Sequence, residues 1–307
     1  MFILKKKTIW LVVIVACLFS FVGYKMISQS DTVAGYDKQV LTGLLGKFDI
    51  GYKDLDQAVA DTQKEFLRQP DKEYCELEKI HEDQRDNLLP YFDKLGLIKA
   101  WKPTRSAYDY AIVLGSTYSS MKNRLEYFAQ LYNSGISVRK IVFLVGQRDL
   151  DYAKDLQELQ ETGIDITHLK TETDLAVYLY NTLITQHPEL KAIPVDVIDT
   201  LKQSTENGGM RRPNTADTVR TWFNQANPQP GICLVVSSQP FCNYQDVTCK
   251  ILLPGTFVVE TVGASDNSSS PVSIYLDTIA RTLYQYKNAQ QIIYMPSKQD
   301  RPVKFNL

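Results

Sequence analysis

The chain has 307 residues, of which 44% are hydrophobic and 22% are charged. This is the composition of a globular protein with enough apolar residues for one large core or two modest ones, and it argues against a disordered chain. The 34 Lys and Arg residues are balanced by 35 Asp and Glu residues, which leaves a net charge of -1. The overall charge therefore does not favour nucleic acid as a partner, and any anion-binding site must be local.

The N-terminal segment is typical of a membrane segment. Lys5, Lys6 and Lys7 precede an apolar run over residues 8–24, and polar sequence resumes at Lys25. At roughly 17 residues the run is short for a spanning helix and slightly long for the core of a signal peptide. It contains no small-x-small cleavage site, so we favour an uncleaved single-pass anchor. The lysines predict a cytoplasmic N-terminus, which places the remaining chain on the periplasmic side of the inner membrane.

One alternative for the same segment is a lipoprotein-type signal. Residues 14–17 read Ile-Val-Ala-Cys, which is similar to a bacterial lipobox and would make Cys17 a lipidated N-terminus. Either reading tethers the chain to the membrane outside the cytoplasm. We therefore divide the chain into an anchor or signal at 1–29, a helical extension at 30–100 and an α/β domain at 101–307.

The cysteines and histidines show no metal-ligand spacing. Beyond Cys17 the cysteines are Cys75, Cys233, Cys242 and Cys249, without a CxxC pair. An oxidising compartment would permit a Cys242–Cys249 disulfide, but two cysteines seven apart on one helix point in different directions, so buried thiols are favoured. Because His81, His168 and His187 are far apart in the sequence, no metal site is expected.

The extension is predicted to be helical and peripheral over residues 31–96. Asp54 is placed to cap a helix in which Leu55, Val59 and Phe66 recur at helical spacing. The charge-rich stretch 72–86 leads into a second apolar stripe, which indicates a solvated helix with one core-facing side. The alternative is an arm that binds a partner or lies close to the membrane.

From Trp101 onward, short β-rich runs alternate with amphipathic stretches. The runs are residues 110–114, 141–145, 164–169, 193–198, 232–236 and 257–262. This alternation predicts a doubly wound, mostly parallel, Rossmann-like sheet with crossover helices. We further expect a helix that ends before Gly135, a helix over 274–286, and a last strand at 292–294.

Ligands of open α/β sheets bind beyond the carboxyl ends of the strands, so the residues that follow each strand are the candidates for a binding site. The first strand is followed by Gly115 and Ser116, and then by a helix with Arg124 near its start. Backbone N–H groups, a hydroxyl and a cation in that order can together bind an anionic group of a ligand. The chain lacks both the G-x-G-x-x-G pattern and the Walker lysine pattern, which disfavours a conventional dinucleotide or P-loop site.

The next strand ends provide further candidates. Gly146 and Arg148 follow the second strand. Thr171 and Asp174 have the spacing of a capping box, which explains both residues structurally. Glu172 is not needed for that cap, and we regard it as the candidate general base.

The segment 206–217 contains two glycines and two arginines ahead of a predicted helix. Arg212 is a candidate for binding an oxyanion, with Arg211 beside it, although the two could also be a solvated surface pair. Asn214 and Thr215 are candidate ligand-binding residues that equally suit the helix cap.

Ser237 and Gln239 follow the fifth strand run and complete the set of candidates. A nucleophilic serine needs an adjacent base held by a third group, and none is evident here. Ser237 also lacks the G-x-S-x-G elbow, which disfavours a serine hydrolase.

Several of these segments, in this order, resemble the SanA/YdcF/ElyC family of bacterial proteins over about residues 108–263. The resemblance rests on residues 111–115, Arg124, 131–135, 140–143, Gly146, 214–217 and 234–239. It implies a Rossmann-like fold and a membrane-anchored protein of envelope barrier function or wall-precursor metabolism. Two departures are the sequence Phe-Cys-Asn-Tyr-Gln at 241–245, where many members carry a His and an Arg, and an atypical insertion between Thr185 and Arg212.

Two functions are consistent with these features. The first is an envelope enzyme or binding protein for a small anionic compound, phosphorylated or nucleotide-like, whose cofactor and reaction the sequence does not specify. The second is a non-catalytic scaffold with a degenerate pocket, in which the extension recruits protein partners. A methyltransferase-like cofactor binder has only the predicted fold in its favour.

Overall fold

The computed structural model describes residues 31–67, 81–150, 156–161, 165–205 and 208–294. The predicted anchor, Cys17 and Cys75 lie outside these residues. Among the described residues, no helix combines the length and the apolar character needed to cross a membrane.

In the part of the extension that the structure describes, a small hairpin is followed by three α-helices. Strands β1 (Thr32–Val33) and β2 (Tyr36–Asp37) pair antiparallel. They are followed by α1 (Lys38–Leu45), α2 (Leu55–Glu65) and α3 (Arg85–Lys94). The predicted cap of α2 is confirmed, because the Asp54 carboxylate accepts a hydrogen bond from the Gln57 N–H at 2.9 Å.

Five parallel strands form the central sheet. They are β3 (Ala107–Leu114), β4 (Ser137–Gly146), β5 (Val195–Thr200), β8 (Ile232–Ser238) and β9 (Val258–Ala264). Their order across the sheet is β5-β4-β3-β8-β9, and every neighbouring pair is parallel. The chain moves outward in one direction from β3 and then in the other from β8, so the topological switch point lies between β3 and β8.

Helices cover both faces of this sheet, which confirms the predicted doubly wound α/β class. They are α4 (Tyr118–Asn133), α5 (Gln157–Glu161), α6 (Glu172–Gln186), α7 (Thr215–Ala226) and α8 (Cys242–Leu252). Phe128 of α4 and Leu175 of α6 pack on one face with Val113 of β3. Trp222 of α7 packs on the other face with Ile112, as expected when alternate side chains of a strand point to opposite faces.

A final helix, α9 (Val272–Tyr294), joins the extension to this body. The buried apolar side chains of the extension and of α9 form one cluster, which is separate from the two clusters against the sheet. Within it the rings of Phe92 and Tyr275 are stacked with centroids 4.5 Å apart. The structure thus places the extension against a helix from the other end of the chain.

Two strand predictions are wrong. Residues 165–170 form a turn, in which the Leu169 N–H donates to the Ile166 carbonyl at 3.0 Å. Ile166 and Leu169 are buried beneath this turn, so the apolar signal came from core packing of a loop. Residues 292–294 belong to α9. The strand prediction failed there because three apolar residues in a row do not distinguish a strand from a helix.

The link between β5 and α7 contains a short antiparallel hairpin. Its strands are β6 (Gln203–Ser204) and β7 (Met210–Arg211). The chain then reaches Arg212 and the start of α7 at the carboxyl edge of the sheet. This hairpin lies within the stretch that the sequence marks as an atypical insertion.

Candidate functional site

The turn after β3 is shaped by close contact with Glu172. A Cβ atom on Gly115 would collide with the Glu172 carboxylate and would press on Val145. Only glycine lets this carboxylate lie directly against the backbone of the turn. Glu172, the first residue of α6, is therefore brought to the carboxyl ends of β3 and β4, although the strand that was predicted to precede it is a turn.

Arg148 holds the same carboxylate from the side of β4. Its Nε donates to Glu172 Oε2 at 3.1 Å, and its Nη2 donates to the Ser116 carbonyl at 3.3 Å. The two side chains are only 14% and 13% exposed, so the pair is shielded from water on most sides. The structure therefore joins Gly115, Ser116, Arg148 and Glu172 in one cluster, which we call the Glu172 cluster.

Burial raises the pKa of Glu172, while nearby cations oppose the shift. Arg148, Arg124 and Arg212 each lower the pKa of this carboxyl through their positive charge. Burial has the larger effect because it removes water from the ionised form. Residues from α4, from the end of β4 and from the segment before α7 thus act electrostatically on one group.

Arg124 also has a structural role. It is 1% exposed, and its Nη1 donates to the carbonyls of Leu114 and Gly115 at 2.7 and 2.8 Å. Its Nε donates to Ser238 Oγ at 3.3 Å. Arg124 therefore links the carboxyl ends of β3 and β8 at the switch point.

The segment with Arg212 lies over the end of β4. A Cβ atom on Gly146 would collide with Pro213, so the glycine allows this segment to approach the strand. Arg212 itself is exposed. The Gly115 turn and the Arg212 segment are consequently at the same end of the domain.

The predicted helix cap is confirmed at Asn214. Asn214 Oδ1 accepts from the Asp217 N–H at 3.1 Å, and Asp217 Oδ2 accepts from the Asn214 N–H at 2.8 Å. Thr215 is the first residue of α7. Arg211, which the sequence left as either a clamp or a surface residue, pairs with Asp217 at 2.6 Å and so supports the cap.

Ser237 and Gln239 are engaged inside the protein. The buried Ser237 hydroxyl donates to Gln245 Oε1 of α8. Gln239 Nε2 donates to the carbonyls of Gly96 and Lys99 at 2.8 and 2.7 Å, which ties β8 to the end of the extension. The structure therefore does not bring either side chain into the Glu172 cluster.

A second polar group, which the sequence reasoning missed, lies at the ends of β4 and β5. Thr173 Oγ1 donates to Asp199 Oδ1 at 2.6 Å, and Gln147 Nε2 donates to Asp199 Oδ2 at 3.0 Å. The signal was present, since Asp199 directly follows the predicted strand 193–198. Among the described residues, no group of three or more acidic, histidine or cysteine side chains is arranged to hold a metal ion.

The described cysteines are expected to be unreactive in the native state. Burial raises the pKa of Cys233 and of Cys242 to about 12, and raises that of Cys249 as well. Cys242 and Cys249 both lie on α8 as separate thiols.

At pH 8 the alkylation of the described cysteines by iodoacetamide, followed by peptide mass mapping, should be more than about a hundredfold slower in the native protein than in urea. Native labelling of Cys242 at the rate of the unfolded chain would contradict this.

Comparison with family models, with curated proteins and with solved structures returned no match. The resemblance to the SanA/YdcF/ElyC family stays a prediction from sequence. The geometry of the Glu172 cluster is therefore the basis of the functional proposal.

Proposed function

We propose that this chain is a membrane-anchored envelope protein that binds a small anionic compound, phosphorylated or nucleotide-like, at the carboxyl ends of β3 and β4. The observation that carries the proposal is the set of three arginines acting on one buried carboxyl beside the Gly115 turn. This place is next to the switch point, where open α/β sheets bind their ligands.

The three arginines have different parts in this proposal. Arg148 and Arg212 supply positive charge at the edge of the site, with Arg148 presenting a guanidinium that suits an oxyanion. Arg124 positions the Gly115 turn through its two carbonyl bonds. Glu172 as a general base remains a prediction from the sequence.

The envelope location rests on the N-terminal sequence. Lys5, Lys6 and Lys7 before the apolar run favour an anchor with the α/β domain on the periplasmic side. The resemblance to anchored envelope proteins supports the same location independently of the site.

A non-catalytic scaffold is the second candidate, and a specific observation favours it. Ser237, near the carboxyl end of β8, donates to Gln245, and Gln239, which follows β8, donates to the backbone of the extension. A ligand would have to bind without them. On this view the extension and α9 provide the surface for protein partners.

The test is anion binding by the full chain, purified in detergent, with inorganic phosphate, pyrophosphate and adenosine monophosphate as probes in titration calorimetry. Replacing Arg148 and Arg212 together by glutamine should weaken binding at least about tenfold, because two cations near the anion are lost. A matched control is Arg105→Gln with Arg139→Gln. These arginines pair with Glu260 and Asp109 near the amino ends of the strands. The control therefore removes the same two positive charges at the opposite edge of the sheet from the proposed site.

The control variant should bind the probes as the unchanged chain does. Equal affinities in both double variants would show that the anion binds elsewhere, and the absence of any binding by the unchanged chain would favour the scaffold.

A further inference from the structure

The Glu172 carboxylate occupies the position that best suits an incoming oxyanion. It lies against the backbone of Gly115, is bound by Arg148 Nε at 3.1 Å, and is under the influence of Arg124 and Arg212. The first turn after the first strand of a doubly wound sheet is where such folds place the anionic group of a ligand. Here a side chain of the protein supplies a negative charge at that place.

We propose that Glu172 is an internal occupant of the anion site, and that the oxyanion of a ligand binds by displacing its carboxylate from Arg148 and from the Gly115 turn. This inference rests on the proposed anionic ligand. The ligand group is a carboxylate or a phosphoryl group, since both present oxygens that a guanidinium can bind. The bond from Arg148 Nε passes from one oxyanion to the other, and no covalent bond changes.

The local structure permits this displacement without unwinding α6. The start of the helix is held by the Thr171 and Asp174 capping box, in which each residue binds the backbone of the other. The Glu172 N–H also donates to the Arg148 carbonyl at 3.0 Å. None of these bonds uses the Glu172 carboxylate, so its side chain can rotate away while the backbone stays in place.

The Glu172 carboxylate must leave Arg148 before the ligand binds, so Glu172 lowers the apparent affinity of the site for its ligand. When a binding-competent state is only a fraction of the population, the apparent affinity falls by that fraction. An ionised Glu172 bound to Arg148 keeps the site mostly occupied. A strongly charged ligand that also contacts Arg212 is favoured over a weakly charged one.

The first test is the affinity of the full chain for inorganic sulfate at pH 7 and constant ionic strength. Glu172→Gln keeps the size of the side chain and removes its charge, and it should bind sulfate about tenfold more tightly than the unchanged chain. The control is Glu260→Gln. Glu260 pairs with Arg105 at 3.0 Å and its side chain is 12% exposed, so the same chemical change is made in a similar ion pair away from the site. This control should leave the affinity for sulfate unchanged.

The second test uses pH and needs only the unchanged chain and Glu172→Gln. Sulfate keeps its charge between about pH 5 and 8, a range in which histidine titrates. Burial raises the pKa of Glu172, so this carboxyl is protonated at a higher pH than an ordinary one. Protonation removes the competing charge, and the affinity for sulfate should therefore rise as the pH falls. The groups that face Glu172 are Arg124, Arg148 and Arg212, which stay charged throughout. His168 lies near Asp165 and Asp174. Any contribution of His168 to the pH dependence is present in both proteins, whereas the contribution of Glu172 is absent from Glu172→Gln.

The outcomes separate this inference from the proposed function. Sulfate binding that is equal or weaker in Glu172→Gln, with the same pH dependence in both proteins, overturns the displacement while the anion site stands. A lack of sulfate binding in both proteins overturns the anion site and with it the displacement. If Glu172→Gln does not fold, Glu172→Ala also removes the carboxylate, and sulfate binding by that variant that is no tighter than that of the unchanged chain refutes the inference.

Discussion

Replacing Arg124 by methionine is expected to destabilise the protein by about 3–5 kcal/mol, the cost of removing one partner from a buried charged network. The guanidinium is 1% exposed and donates to the carbonyls of Leu114 and Gly115 at 2.7 and 2.8 Å. Methionine fills a similar volume but leaves both carbonyls without this donor, and the Leu114 carbonyl lies in the buried interior. The ends of β3 and β8 would also lose the link through Ser238.

Urea unfolding of the purified chain, followed by circular dichroism, measures this loss as a lower midpoint at an unchanged slope. The control is Arg220→Met on α7, where the side chain is exposed. It should change stability by less than about 0.5 kcal/mol. An Arg124→Met protein that is as stable as the control would mean that Arg124 is held for ligand binding, as its position in the sequence suggested, and not for the link between strands.

The class of the fold was predictable because parallel strands buried on both faces leave a strong trace in the sequence. Val113 and Ile112 are adjacent in β3 and pack on opposite faces, so both must be apolar. The turn at 165–170 shows the limit of this signal. Ile166 and Leu169 are as apolar as strand residues, because a loop that covers the core must also bury side chains.

The sequence predicts only in part which residues meet in the site, and it does not predict the bonds within it. Strand ends of a parallel sheet share one edge, so Gly115 after β3 and Arg148 after β4 had to be near each other. Glu172 follows a predicted strand that is in fact a turn, so its place in the site depends on how α6 packs. The sequence does not indicate that Glu172 would bind Arg148, nor that Gln239 would bind the backbone of Gly96 and Lys99. Those bonds join residues far apart in the chain, and they depend on how helices and loops pack around the sheet.

The extension and the α/β body share a cluster of buried side chains that the sequence did not predict. Residues 31–96 were predicted to be peripheral with one core-facing side, but helical spacing does not indicate which element that side packs against. Phe92 of α3 and Tyr275 of α9 are fully buried, and their rings are stacked at 4.5 Å. The partner of the extension therefore comes from a helix near the other end of the chain.

Phe92→Ala is accordingly expected to lower the stability of the whole protein, and not only of the extension, by about 3–5 kcal/mol. Trp222 is 1% exposed in a different cluster, against Tyr110 at 5.4 Å. With Trp10 and Trp101 replaced by phenylalanine in every protein compared, the fluorescence comes from Trp222 and reports on the sheet. If the two parts unfold together, the fluorescence and far-UV circular dichroism midpoints should fall by the same amount in urea. Tyr284→Ala, at a position 44% exposed on α9, serves as the control and should shift neither midpoint. A circular dichroism transition that moves while the fluorescence transition stays fixed would instead mean that the extension unfolds alone, because its contacts with α9 would not be coupled to the sheet.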